Sequence, residues 1–331
     1  MKKAIYERYG NPTDVVKLVD IDYESLGPDD VRIDLEISSI NPADLLSIQG
    51  LYPIKPKLPT TPGNEGVAFV KELGNNVTNI NLGDRVFIPF KPGIGAWGEE
   101  IIVPGKTLFA LPKEADPAQL AMASVNPPSA YYMLTKFVNL SKGDWIIQNS
   151  ANSAVGRYVI TFAKNMGIKT VNVVRRKDII DDLYEEGGDI VLVDGPDLAK
   201  RVKKLVTNKS IKLGFDGVAG DATHRISQCL AFGSTLVNYG AMSLKRCELG
   251  ATQTIFKQIK LVGLWLQKWT EIADSGEVKD LYELTNEAVI NGTVKAKVEK
   301  IYSLFDIKEA LTHSMRDKRS GKILISGPRF K

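Results

Sequence analysis

The stretch WIIQNSANSAVGRYVITFAKNMGIKTVNVVRR, from Trp145 to Arg176, constrains the fold more than any other part of the chain. Ile146 and Ile147 belong to an apolar run that reads as a buried strand, small residues follow as a turn, and helical periodicity takes over from Val155. KTVNVVR then reads as strand again, so the whole is a strand–turn–helix–strand unit of the kind that builds a parallel sheet. In such a unit the free N–H groups at the helix start can face a phosphate. The glycine frame of a dinucleotide turn, G-x-G-x-x-G, falls on Ala151, Ser153 and Gly156, and only the last glycine is present. Its usual role is close packing of helix on sheet. Ala and Ser are small enough for a backbone to approach, and Asn152 and Ser153 can add side-chain hydrogen bonds to a phosphate, with Ala154 and Val155 opening the helix. Without the first two glycines, φ should stay in common regions and the turn should differ slightly from the glycine form. An ordinary turn of small residues would read the same way.

The end of the next strand sharpens the choice. A site for NAD places Asp or Glu there to hold the ribose 2′-hydroxyl, whereas this chain has Arg175 and Arg176 followed by Lys177. Arg pairs with a 2′-phosphate through charge-assisted hydrogen bonds that a carboxylate would oppose. The expected nucleotide is therefore NADPH, the alternative being a merely solvated basic strand end. Asp178 comes three residues too late to serve as the NAD carboxylate.

At 331 residues the chain is long for one core and reads as two domains, on a prior of ~100–200 residues each. Its first part alternates apolar and polar side chains, as in DVRIDLEISSI from Asp30 to Ile40, between Gly and Pro turn signals, and predicts a partly open barrel or sandwich of short strands. PADLLSIQG is expected to add a turn or two of helix. From near Met122 helical patterns alternate with apolar runs: STLVNYGAM and QIKLVGLWL read as strands, and a helix is expected around Asp280 to Ile290. That succession predicts an α/β domain with a parallel sheet covered by helices. The final pair of strands with one helix between them could extend this sheet or return to the first domain.

Several function classes lose support. A formal charge of +4 without any Lys/Arg block argues against nucleic acid. Cys229 and Cys247 have no metal-ligand spacing and form no disulfide framework. No apolar run is long enough to span a bilayer. The N-terminal MKKAIYERYG has no signal-peptide character, so the expected location is cytoplasmic, although a resident of a reducing organelle without its transit peptide would read alike. His224 and His313 lie in helical surroundings and read as surface or packing residues. No zinc spacing is present, and a hydride acceptor that needs no metal is a C=C bond conjugated to a carbonyl.

Taken together, these segments resemble the medium-chain dehydrogenase/reductase superfamily over essentially the whole length. Within it the chain is similar to the zinc-free, mitochondrial-type 2-enoyl thioester reductases, with quinone oxidoreductases more distant. INPADLLSIQGLYPIKPKLPTTPGNEGVA matches the region of the family's catalytic tyrosine, at Tyr52; SVNPPSAYYML places Asn126 on the nicotinamide-ribose side. IQNSANSAVG matches the nucleotide turn, so the missing glycines are a family trait. VNYGAM matches a cofactor-side segment containing Tyr239, Gly240, Ala241 and Met242. LVGLWLQKW matches another containing Leu264, Trp265 and Leu266, and GKILI gives a late cofactor contact at Lys322. Zinc-dependent relatives carry Gly-His-Glu where this chain has Gly63-Asn64-Glu65, which puts Asn64 in the metal-ligand position and in the substrate pocket. The resemblance implies a GroES-like, partly open β-barrel catalytic domain over residues 1–122 and 289–331. It implies a doubly wound, parallel-sheet Rossmann domain over 123–288, and a homodimer.

The implied activity is NADPH-dependent reduction of trans-2-enoyl thioesters, carried by coenzyme A or acyl carrier protein, in fatty acid synthesis. Hydride goes to C3 and a proton to C2 from the Tyr52 hydroxyl, which keeps its proton at neutral pH. Trp265 and Trp269 are expected beside the acyl chain, with core packing as the alternative for either. Lys55 and Lys57 could attract a phosphorylated carrier arm. The competing readings are an NADPH-dependent quinone or small α,β-unsaturated carbonyl reductase, and a cofactor-binding protein without catalysis.

Overall fold

The computed structural model describes residues 1–90, 93–207 and 210–330. The chain divides into two units, one of Met1–Val125, Asn286–Gly292 and Ala296–Lys331, the other of Asn126–Thr285 and Thr293–Lys295. The first begins with β1 (Lys2–Ile5) and β2 (Lys17–Asp20), an antiparallel pair. It continues with β3 (Asp30–Ser39), β4 (Gly66–Leu73), β5 (Arg85–Phe87), β6 (Glu100–Pro104) and β7 (Ala110–Leu111). The second unit holds β8 (Trp145–Gln148), β9 (Lys169–Val174), β10 (Ile190–Val193), β11 (Ile211–Asp216), β12 (Thr235–Asn238) and β13 (Lys260–Gly263). The last two strands, β14 (Val298–Ser303) and β15 (Lys322–Ser326), belong to the first unit again, because β15 pairs antiparallel with β3.

The seven-stranded sheet of the first unit runs β14-β15-β3-β4-β5-β7, with β6 also on β3. Its outer strands do not meet, so the barrel expected from the sequence is open. Period-two alternation explains β3: Val31, Ile33, Leu35 and Ile37 are fully buried in the core. The polar residues between them, Arg32, Asp34 and Glu36, are also buried. They are tolerated because they are paired, as Arg32 Nε with Glu72 at 2.9 Å and Arg85 Nε with Glu36 at 2.8 Å.

In the second unit the order β10-β9-β8-β11-β12-β13 is parallel throughout. The chain starts in the middle at β8, winds out one way to β10, then crosses over to β11. This is the doubly wound arrangement, whose ligands bind beyond the C-terminal strand ends where the order reverses. That switch lies between β8 and β11. Helices Ala154–Met166, Leu198–Leu205 and Asp221–Cys229 cover the sheet. Ile147, Val171, Val173, Val202, Ile226 and Leu236 pack between the layers, each fully buried aliphatic side chain contributing ~1.5–3 kcal/mol.

Two strand expectations were too long. β12 stops at Asn238, whose side chain donates to the Gly240 carbonyl at 2.9 Å, and a turn follows at Ala241–Leu244, closed by the Leu244 N–H on the Ala241 carbonyl at 2.9 Å. β13 stops at Gly263, and Trp265 precedes the helix Leu266–Ile272. Among the described residues, no helix is long and apolar enough to cross a membrane.

Candidate active site

β8 runs into Asn149, which sits at the switch point and bridges it. Its amide donates to Asp216 Oδ1 at 2.6 Å, and its Oδ1 accepts from the Gly217 N–H at 2.8 Å. The turn that follows does use a positive φ, but at Ser150 (51°), one residue before the glycine frame begins. Ala151, Asn152 and Ser153, which stand in and beside the glycine positions, keep φ in the common negative region as expected, and the left-handed residue lies just ahead of them. Ser153 caps the helix Ala154–Met166, its hydroxyl accepting from the Gly156 N–H at 3.1 Å. A Cβ on Gly156 would lie 2.4 Å from the Ala151 carbonyl oxygen, so this glycine lets the helix press against the turn. Asn152, Ser153, Ala154 and Val155 are half-buried along the turn and helix start.

Residues far apart in sequence join this turn. The Tyr239 hydroxyl is buried with no hydrogen-bond partner among the described residues, and burial pushes its phenol up to about 12, so it stays protonated at any working pH. Gly240 presses on Gly217: a Cβ there would be 2.8 Å from the Gly217 oxygen. Ala241 is exposed, as is Met242 at 55%. Arg175 and Arg176 directly follow the last residue of β9, Arg175 exposed and Arg176 half-buried, with Lys177 exposed beside them. Arg176 lies 3.3 Å from Asp178, the acid that came too late to be a ribose ligand. Asn126 opens the helix Asn126–Lys136, and its buried amide nitrogen has no hydrogen-bond partner among the described residues. Such a buried donor is costly unless a ligand or water completes it.

Leu264 is half-buried, Trp265 is 39% exposed and Leu266 is buried with its side chain spent in packing. Trp269 packs on Tyr132 with ring centroids 4.6 Å apart.

In the first unit the helix Pro42–Ile48 leads through Gln49 and Gly50 to Tyr52. Gly50 has φ 73°, and the Leu51 and Tyr52 N–H groups both return to the Leu46 carbonyl, at 2.8 and 3.2 Å. Tyr52 is half-buried. The start of this helix is tied to a buried polar cluster. Asp44 accepts from the Asn41 N–H at 2.7 Å and from the Asn64 amide at 2.6 Å. Asn41 and Ser39 donate to Glu65, each at 2.6 Å, and the Lys322 ammonium reaches Asn41 Oδ1 at 2.5 Å and the Ile40 carbonyl at 3.0 Å. Asn64 and Lys322 are thus brought together by sharing this cluster. Burial pushes Asp44 up to about 7, held back by its N–H donors and Lys322, and pushes Lys322 down to about 8. Glu65 is raised by the same desolvation.

The Asp44 shift has a measurable sign. Its folded pKa exceeds the ordinary 3.8, so its contribution is full below that value and is lost as pH rises towards about 7. Wild-type stability should fall relative to Asp44→Asn across pH 4–7, by up to about 1.4 kcal/mol per pH unit. Denaturant titrations at several pH values read this directly. A pH-independent difference would mean that Asp44 stays ionised throughout.

Residues 27–113 match the alcohol dehydrogenase GroES-like domain, and residues 154–284 match the zinc-binding dehydrogenase family. The mitochondrial enoyl-[acyl-carrier-protein] reductase of Caenorhabditis elegans is 37% identical over 300 residues, covering 89% of this chain and 86% of its own. This chain belongs to the medium-chain dehydrogenase/reductases, on the enoyl-thioester reductase branch. Among solved structures, Etr1p, from a mitochondrial 2-enoyl thioester reductase of Candida tropicalis, has been seen with NADP and crotonyl-CoA. It is 26% identical with TM-score 0.86, over 98% of this chain and 99% of that one. A quinone oxidoreductase of Pseudomonas syringae, 22% identical with TM-score 0.87 over 98% and 99% of the two chains, shares the fold.

For a medium-chain dehydrogenase/reductase of this branch, the expected cytoplasmic location is corrected. Eight enoyl-[acyl-carrier-protein] reductases, 33–37% identical, are all mitochondrial. Targeting segments lie outside the fold and are removed, so the composition of the folded part carries no address. Among the described residues no three His, Cys, Asp or Glu side chains gather as a metal would require. Sequence reading missed Asn149 with Asp216, the buried Arg157, and Asp44. Asn41 and Asp44 do carry a legible signal, the three-residue spacing of a helix-start box. Asn149 and Asp216 carry none, since their pairing spans two strands adjacent only in space.

Proposed function

We propose that this reductase uses NADPH to reduce the C=C bond of trans-2-enoyl thioesters carried on coenzyme A or acyl carrier protein, within fatty acid synthesis. The observation that carries the reading is the small-residue turn on β8 with an Arg175–Arg176 end on β9, in a chain similar over 98% of its length to an NADP- and crotonyl-CoA-bound reductase. The residues present fit the cofactor: Gly156 lets the helix start approach the turn, and Asn126 keeps a buried amide donor unmet. Asn152 to Gly156 would hold the pyrophosphate and Arg175, Arg176 and Lys177 the 2′-phosphate. Asn126, Tyr239 to Met242, Leu264 to Leu266 and Lys322 would hold the remainder. When bound, NADPH supplies a hydride for C3 of the substrate.

The protein's own chemistry is to place a proton on C2. Tyr52 is the proposed donor, from a loop whose backbone is returned to the preceding helix. Negative charge growing on the thioester oxygen calls for nearby N–H or O–H donors. Asn64, Trp265 and Trp269 are proposed to bound the substrate. We assign 1–122 and 289–331 to the catalytic domain and 123–288 to the cofactor domain. A homodimer belongs to the same proposal, β13 being a sheet edge with β12 on one side only.

NADPH oxidation with trans-2-hexenoyl-CoA, run beside a quinone and a small enal, tests the reading. Thioester turnover should be the fastest. Negligible thioester turnover by protein that binds NADPH would overturn it in favour of a quinone or enal reductase.

A further inference from the structure

Arg157 is 1% exposed on the helix Ala154–Met166, directly after Gly156. A buried guanidinium is expensive, so its partners matter. Its Nε donates to the carbonyl of Asn152, in the nucleotide turn, at 3.2 Å. Its other nitrogens point to the helix that follows Arg175 and Arg176: one is hydrogen-bonded to Glu186, and another lies 3.8 Å from Asp182. One side chain therefore ties the phosphate turn to the helix beyond the Arg175–Arg176 strand end.

We infer that Arg157 is a positioning residue for the cofactor, holding the glycine-poor turn in its binding shape by fastening the Asn152 carbonyl to Glu186. The physical need follows from the sequence of the turn. Without its first two glycines the segment relies on a left-handed serine, Ser150, and on small side chains. Its Asn152 carbonyl must also be turned away from an incoming phosphate, which carbonyl oxygens repel. A guanidinium is suited to this, because its planar fork can donate to a carbonyl and a carboxylate at once. Lysine, a point donor, cannot span both partners. Because the turn faces the pyrophosphate, which NADPH and NADH share, Arg157 acts on both nucleotides alike. Arg175 and Arg176 act on the 2′-phosphate alone. The inference rests on the NADPH reading above.

The test measures dissociation constants of NADPH and NADH by nucleotide fluorescence for wild type, Arg157→Lys and Glu186→Ala, with thermal unfolding to select folded protein. Arg157→Lys should weaken both nucleotides by a similar factor, ~10-fold, as expected for one lost charge-assisted bond. kcat at saturating NADPH should stay within about twofold, since uniform binding alone is lost. Glu186→Ala, at a side chain 30% exposed, keeps the arginine but removes its anchor and should weaken both nucleotides less. Unchanged constants in both folded variants would overturn the inference while leaving the cofactor reading intact. A loss confined to NADPH would likewise overturn it, placing Arg157 with the 2′-phosphate. Wild-type protein that bound neither nucleotide would overturn the cofactor reading itself.

Discussion

Replacing Tyr52 by phenylalanine lowers kcat and kcat/KM on trans-2-hexenoyl-CoA together, by ~10²-fold or more, and leaves the NADPH dissociation constant unchanged. The size follows from removing a general acid, which contributes ~10²–10⁴-fold when it is well placed. The equal fall in both constants follows from losing an interaction made only in the transition state. Phenylalanine keeps the ring and removes only the hydroxyl, and the backbone bonds from Leu51 and Tyr52 to Leu46 in the loop after Pro42–Ile48 do not involve that hydroxyl. Rapid-mixing measurement of a single turnover separates this chemistry from product release. A variant that retained full activity would reduce Tyr52 to a loop residue and move the assignment towards acceptors that take their protons from water.

The second large effect is on cofactor choice. Arg175→Ser with Arg176→Ser should weaken NADPH by ~10²-fold, while NADH binding changes little. Each charge-assisted hydrogen bond to a phosphate is worth ~1.5–3 kcal/mol, and 1.4 kcal/mol is a factor of ten. The lower end applies because Arg175 is exposed and Arg176 is engaged in part by Asp178. The preference for NADPH over NADH should also fall with added salt in the wild type, and not in the double variant. Equal losses for the two nucleotides would show that the arginines shape the strand end rather than read the 2′-phosphate.

These two predictions draw on features of different legibility. The turn from Asn149 to Gly156 and the arginines after β9 are local: each is a few residues wide, and strand, turn and helix periodicity place them on the right elements. The alternation of β3 was equally plain, but it says nothing of burial: Arg32, Asp34 and Glu36 are enclosed by partners on β4, β5 and β6. Alternation reports which face a side chain takes, not whether that face is covered. The ends of β12 and β13 were overrun for a related reason, because apolar residues at Tyr239 and Leu264 continue a pattern that the backbone leaves at Asn238 and Gly263. Tyr52 was found only through kinship. A single tyrosine in a proline-rich loop carries no periodic signal.

By itself the sequence determined the plan: a strand-rich first part, a parallel α/β second part, a small-residue turn with one remaining glycine, and a strand that ends in two arginines. These follow from backbone preference and side-chain period, which act over neighbouring residues. Only the tertiary structure decided which charges are buried and what they hold. Lys322 meets Asn41 across 281 residues of chain, Asn149 meets Asp216 across 67, and Arg157 meets Glu186 across 29. A buried charge is stable only where its partners arrive, and their arrival is set by which strands become neighbours, a matter that no local pattern records.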